Sequence, residues 1–432
     1  MRERRRAAGR RLQVVVALAL TALAGCTAQR TAAPAASRSA SAPFILTFWC
    51  GPPLAEFDDA RAAEVAAGGF TVMGPPCTGG FDAARNLQML DVAQRHGLHA
   101  WVADHRFDRA GVGAPDWPAS LNAAVADYRH HPALGGYFVT DEPVAKDFAA
   151  VAAVVGALRA ADPERLAYVN LLPDYIPPSG LGTPTYPDYV EQFITTVHPQ
   201  LLSYDYYPFG TEKDRSTFFA NLATMRAAAL AHDLPFMLIV LAMPHGPYRD
   251  PTEAELAWQT HHALAYGARG ISYYTYWTPP KDQWKSQYGL IEEGRPTLHY
   301  FQVARLNREL SALAGALSGF SSIAVADSAG AIGVPFPIGP LDGVDGGQIT
   351  VGLFGDGAGS LAALLVNRDY RYGATAQLRL HPGAPAPLQF DADTSTWLPS
   401  ATLAIPLAPG GARLLRWDAA STPRIALTGS GS

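Results

Sequence analysis

From Phe44 the chain alternates short β-branched or aromatic runs with longer stretches whose apolar positions recur at helical spacing. The short runs predict strands at 44–50, 70–74, 98–104, 134–140, 166–172, 201–207, 235–243 and 270–277. The longer ones predict helices at 56–67, 83–96, 118–130, 146–161, 187–197, 216–232, 252–266 and 297–316. Asp162-Pro163 and His198-Pro199 close two helices, and Pro251-Thr252-Glu253 opens another. Eight such pairs in about 275 residues predict a (β/α)8 TIM barrel over residues 44–319. A doubly wound open sheet is the competing architecture. It normally has fewer units and a Gly-rich first turn, and no G-x-G-x-x-G follows the first strand. Beyond residue 319 the helical period stops. Short runs at 348–354, 361–367, 374–380, 401–406 and 411–417, separated by Gly, Pro and Asp, predict a small antiparallel β-sandwich domain over 320–424, with a frayed tail at 425–432.

The N-terminal pattern differs. A basic start and an apolar run from Val14 to Ala24 are too short to span a bilayer, which takes about 20 residues, and read as a signal peptide over 1–25. Its ending, Leu23-Ala24-Gly25-Cys26, resembles a bacterial lipobox, which implies lipidation of Cys26 and a protein exported to the bacterial cell envelope, touching the membrane only through its anchor. Residues 26–43 then form a flexible tether rich in Ala, Ser, Thr and Pro. This division changes the charge. The whole chain carries −5, but the six Arg and one Glu before Cys26 contribute +5, leaving −10 from Cys26 onward. That excess argues against a nucleic-acid binder. Cys50 and Cys77 follow strand-like runs in neighbouring units and form either a disulfide between adjacent loops or two buried thiols. No Cys-x-x-Cys or His-Glu-x-x-His spacing occurs, so neither a metal site nor a cofactor is expected.

In a TIM barrel the reactive groups stand at the C-terminal strand ends. Here those ends carry Trp49, then Asp104-His105-Arg106, Asp141-Glu142, Asn170, Tyr204-Asp205-Tyr206, His245 and Trp277. Carboxylates among aromatic rings suit glycoside cleavage, in which one acid protonates the leaving oxygen, a second group supports an oxocarbenium-like transition state, and rings stack on sugar faces. Glu142 is the expected acid, with a neighbouring carboxylate raising its pKa. The bland alternative is that Asp141 and Glu142 only cap or salt-bridge the loop before Pro143. Trp49, Tyr204, Tyr206 and Trp277 are candidates for a sugar platform or for ordinary barrel packing. Asp104, His105 and Arg106 either bind hydroxyls or hold Glu142 in place, and Asn170 and His245 are further candidate substrate contacts.

The stretches Tyr137 to Pro143, Leu202 to Phe209, Tyr274 to Pro279 and Gly294-Arg295-Pro296-Thr297 resemble those of TIM-barrel glycoside hydrolases, especially loosely classified bacterial ones similar to clan A. The resemblance implies an acid/base Glu at the strand-four tip, which is Glu142. Two positions depart from that pattern. Asp141 stands where the clan usually has Asn, and residues 238–246 hold no carboxylate where a nucleophilic Glu is expected. Either Asp205 is the second carboxylate, with a gap to Glu142 of about 5–5.5 Å for retention or about 6.5–9.5 Å for inversion, or Asp141 and Glu142 work as in the β-N-acetylhexosaminidases, through a substrate acetamido oxygen. Tyr204-Asp205 is also similar to the chitinase family. Strand alternation points Asp141 and Glu142 to opposite sides, so both routes need a bulge or turn that turns both inward. The sequence thus predicts a surface-tethered hydrolase of an oligosaccharide or glycan, or a carbohydrate-binding lipoprotein without catalysis.

Overall fold

The computed structural model describes residues 43–76, 82–280, 282–283 and 285–419. The signal segment, Cys26, residues 27–42, Cys77 and the 425–432 tail lie outside the described residues.

Eight parallel strands form one sheet: β1 (Ile45–Trp49), β2 (Val72–Met73), β3 (His99–Ala103), β4 (Leu134–Asp141), β5 (Leu166–Leu171), β6 (Leu202–Tyr206), β7 (Phe236–Leu241) and β8 (Gly270–Tyr274). Each is followed by a helix: α1 (Asp59–Ala67), α2 (Ala83–Arg95), α3 (Trp117–Tyr128), α4 (Phe148–Ala161), α5 (Tyr186–Val197), α6 (Phe218–Ala231), α7 (Glu253–Ala265) and α8 (Leu298–Ala316). The order β1-β8-β7-β6-β5-β4-β3-β2 leaves β1 and β2 to close the barrel. They do so through Thr71, whose amide donates to the Leu46 carbonyl at 2.8 Å, and through a bridge between Gly51 and Pro76. The approach is close enough to require glycine at residue 74, where a Cβ would sit 1.7 Å from the Phe48 carbonyl oxygen.

Alternation sorts the side chains into two layers. Ile45, Trp49, Val72, Trp101, Phe138, Leu166, Tyr168, Leu201 and Met237 pack together inside the barrel. Their sequence neighbours Leu46, Phe48, Val102, Tyr137, Val169, Tyr204 and Tyr206 join the core beneath the helices.

A short hairpin, β9 (Ile291–Glu292) and β10 (Arg295–Pro296), precedes α8. The C-terminal strands are β11 (Ser321–Asp327), β12 (Leu341–Asp345), β13 (Ile349–Gly355), β14 (Leu361–Asn367), β15 (Ala374–Leu380), β16 (Leu388–Asp391), β17 (Thr396–Pro399), β18 (Ala404–Leu407) and β19 (Ala412–Trp417). They build a six-stranded and a three-stranded antiparallel sheet that enclose their own core, including Val351, Leu365, Val344 and Ile405. The opposite face of the larger sheet, with Phe354, Leu364 and Leu414, continues the barrel core. Helix α7 lies between the two and is buried from Leu256 to Ala265 except at Ala257. Trp258 donates from its indole to the Arg368 carbonyl at 2.9 Å, and His261 bonds the Gly410 carbonyl at 3.0 Å.

Candidate active site

Two local features bring adjacent residues 141 and 142 to the barrel mouth. The β4–β5 register slips between Phe138 and Thr140, a bulge that advances the strand by one residue. Glu142 then adopts φ 44°, in the left-handed region, while its amide donates to the Asn170 carbonyl at 2.9 Å. A left-handed residue after a strand reverses the direction of its side chain. This is the turn that strand alternation demanded. Tyr189 of α5 fixes the next residue, donating to the Pro143 carbonyl at 2.7 Å, and Arg109 bonds the Thr140 hydroxyl.

Asp205 enters the same space from β6. It is 4% exposed, and its carboxyl shares a hydrogen bond with that of Glu142. Two carboxyl groups can bond only with a proton between them. Asn170, at the end of β5, joins the third carboxyl: its Nδ2 donates to Asp141 at 3.0 Å and to Asp205 at 3.2 Å. Asp141, Glu142 and Asp205 are thus one cluster.

Burial raises all three acids above the ordinary carboxylate range. Asp141 is pushed up to about 7, first by desolvation and then by the Glu142 charge. Glu142 is raised by desolvation, and Asp205 well above its usual value by desolvation and then by the charges of Glu142 and Asp141. Asp141 and Glu142 are exposed by area because the mouth opens beside them, yet protein groups crowd their remaining sides. The Glu142–Asp205 hydrogen bond raises Asp205 and lowers Glu142, so the proton between them belongs to Asp205, the more deeply buried of the two.

The far wall is aromatic. Tyr274, on β8, packs with its ring 4.9 Å from His245 and 5.7 Å from Tyr207, and Tyr248 closes the group 4.9 Å from His245. The Tyr274 hydroxyl is raised to about 12, by burial and then by the charges of Asp141, Asp205 and Glu142, which places it over the cluster. Burial lowers the pKa of His245. Because the Met243 carbonyl can only accept, the Nδ1 at 2.8 Å carries the proton and Nε2 is left as an acceptor. Trp49, half-buried, meets Phe138 and Tyr168 at the mouth.

The other expected residues lie elsewhere. Tyr204 and Tyr206 do not form a sugar platform. With Asp205 inward, alternation sends both outward, where they are fully buried, and Tyr206 bonds Thr217 of the loop leading into α6 at 2.8 Å. Asp104 also points outward, accepting from Tyr128 and from Arg106, both at 2.6 Å, so this pair braces α3 instead of binding hydroxyls or supporting Glu142. His105 is exposed on the same turn. Trp277 sits beyond β8 with the Arg61 guanidinium 5.3 Å from its ring centroid, at the α1 side. Cys50 takes part in a disulfide, while Cys77 lies outside the described residues. Tyr274 and Tyr207 escaped the sequence reading, although parity with Ser272 along β8 marks Tyr274 as inward.

The fold of this chain is similar to that of several solved glycoside hydrolases. The β-galactosidase from Bacillus circulans sp. alkalophilus is similar at TM-score 0.59 and 9% identity, over 87% of this chain and 99% of that one. A catalytic mutant of Gan42B, a GH42 β-galactosidase from G. stearothermophilus, is similar at 0.58 and 9%, over 87% and 98%. A glycoside hydrolase family 5 protein from Bacteroides vulgatus is similar at 0.54 and 10%, over 89% and 92%. The chain spans 60% of the length of the β-galactosidase from Marinomonas ef1, at TM-score 0.47. At such identities the likeness establishes the fold alone. No family profile matches the chain, and no curated protein matches it by sequence.

Proposed function

We propose that this protein is a glycoside hydrolase with Glu142 as its general acid. The observation that carries the reading is the placement of Glu142 at the open mouth beside Asp141 and buried Asp205, which Asn170 ties together, with burial raising the Glu142 pKa. A carboxyl that keeps a proton near neutrality can donate it to a glycosidic oxygen. Hydrogen-bond contact is shorter than the gap that either direct attack by Asp205 or an intervening water needs, about 5–5.5 or 6.5–9.5 Å. Asp205 therefore serves as the hydrogen-bond donor that holds Glu142 in place, burial is what raises the Glu142 pKa, and exposed Asp141 is the second group. Its adjacency to Glu142 suits the route in which Asp141 accepts a hydrogen bond from a substrate acetamido N–H, the acetamido oxygen attacks the anomeric carbon, and Glu142 protonates the departing oxygen. Lipidation at Cys26 would hold this activity at the bacterial envelope, on an oligosaccharide or glycan.

The test compares aryl 2-acetamido-hexosides with aryl hexosides, using wild type and Glu142→Gln. The proposal expects turnover of the acetamido sugars, lost by about 10³-fold or more in Glu142→Gln with binding retained. Equal turnover of plain hexosides removes the acetamido route and leaves the glycosidase. The absence of a carboxylate at the β7 tip, where His245 stands, favours one rival, a carbohydrate-binding protein without catalysis. A wild type that binds glycans but is inert on both panels establishes that rival.

A further inference from the structure

Asn170 is held on both sides, and the far side belongs to residues with no assigned role. Ser203 of β6 and Tyr168 of β5 lie inside the barrel beneath the carboxyl cluster, 0% and 1% exposed, out of reach of any substrate. The Ser203 Oγ is 3.1 Å from the Asn170 Oδ1 and 3.0 Å from the Tyr168 hydroxyl. The direction of each bond follows from chemistry. An amide oxygen only accepts, so the single Ser203 proton goes to Asn170, and the Ser203 oxygen must accept from Tyr168. With Oδ1 engaged, the Asn170 amide cannot flip, and both hydrogens of its Nδ2 face Asp141 and Asp205. A flipped amide would aim its oxygen at two carboxyl groups, its least favourable orientation.

We propose that Tyr168 and Ser203 are positioning residues: a one-way chain from Tyr168 through Ser203 locks the Asn170 amide, so that Asp141 and Asp205 each receive a fixed hydrogen bond. The chain stops at the carboxyls and leaves the mobile proton to the Glu142–Asp205 pair. Its importance for catalysis rests on the glycosidase reading, whereas its effect on the carboxyls does not. Donation to a carboxylate favours the charged form, so loosening the amide raises the pH at which Asp141 titrates. The Tyr168 ring is held independently, stacked on Trp101 at 4.1 Å, so removing its hydroxyl leaves the packing in place.

The experiment follows the Asp141 carboxyl by ¹³C NMR titration of the full chain in wild type, Ser203→Ala, Tyr168→Phe and the double variant. The chain predicts midpoints higher by about 0.5–1 pH unit in Ser203→Ala, a smaller rise in Tyr168→Phe, and no further rise in the double variant, because the two act in series. Unchanged midpoints in both single variants, or additive shifts in the double, overturn it. Where a glycoside is turned over, the acid limb of kcat/KM moves up by the same amount while KM stays within about twofold, which a general loss of packing would not produce. Failure to hydrolyse any glycoside refutes the proposed function and leaves the NMR test standing.

Discussion

Replacing Asp205 with Asn tests which carboxyl holds the proton between Asp205 and Glu142. Glu142 and Asp205 lie in hydrogen-bond contact, so their oxygens are about 3 Å apart. Two carboxylate charges at that distance repel by about 5 kcal/mol at an effective dielectric near 20. That is about 4 pK units at 1.36 kcal/mol each, which is why the wild-type pair retains a proton. Asn has the same shape without the charge, and its amide can donate to Glu142. Protonated Asp205 already donates to Glu142 and lowers its pKa, so Asn keeps both that donor and the burial that raises Glu142, and the Glu142 pKa is expected to stay within about 0.5 unit. A general acid acts while protonated, so the basic limb of kcat/KM stays in place and activity at pH 7 changes by no more than about threefold, whereas Asp205→Ala removes the donor and moves that limb to higher pH by about 1 unit. A ¹³C titration of Glu142 gives the same quantity without substrate. A Glu142 midpoint in Asp205→Asn that falls by more than about 1 unit would refute the assignment of the proton to Asp205.

Asp141 should cost stability where it is charged. Its folded pKa is raised from 3.8 to about 7, so its contribution is fully present below 3.8 and lost as pH rises through about 7. Asp141→Asn is therefore neutral at pH 3.5 and stabilising by about 1 kcal/mol at pH 8, a small figure because the carboxyl is solvent-accessible. Urea denaturation at the two pH values reads the difference, and equal effects at both would contradict it. Tyr204→Phe removes a buried hydroxyl that has no partner and should change stability by no more than about 1 kcal/mol in the stabilising direction. Glycan binding should stay within about twofold in that variant, and a tenfold loss would return Tyr204 to the cleft. Gly74→Ala drives a methyl into the Phe48 carbonyl and should lower stability by about 3 kcal/mol or more. A thermal melt unchanged within about 2 °C would show that β1 and β2 close differently.

The barrel was legible because its signals repeat. Every predicted strand and helix of the eightfold unit overlaps one in the structure, with Pro and N-cap residues marking several ends. In the β domain, β11, β12, β16 and β17 were missed. The first two are interrupted by small or charged residues, and the last two are four-residue strands around an Asp391 turn. At the site, residue type and strand-end position selected Asp141, Glu142, Asp205 and Asn170. Tyr204 and Tyr206 were left between sugar platform and barrel packing although the rule that decides for packing was available, since a strand that aims Asp205 inward must aim its neighbours outward. Asp104 failed for the same reason. The left-handed turn at Glu142 had no local signature: the residue is neither Gly nor Asn, and its conformation is imposed by the Asn170 carbonyl and by Tyr189 holding Pro143.

The missing carboxylate at the β7 tip is better understood through what replaces it. His245 is kept neutral by burial, its Nδ1 proton is committed to Met243, and its ring is wedged among Tyr207, Tyr248 and Tyr274. The β6–β8 side of the mouth therefore carries rings and no ionised group from β7, while the acidic charge is concentrated on β4 and β6. An arrangement with one carboxylate on each side would stabilise positive charge between them. Here burial raises three acids on one side, with Glu142 adding to the shifts of Asp141 and Asp205, and the opposing wall offers flat surfaces. Under the proposed function, a sugar ring would rest against Tyr274 and Trp49 with its leaving oxygen over Glu142. In that geometry the attacking group must come either from Asp141 or from the substrate, because β7 supplies none.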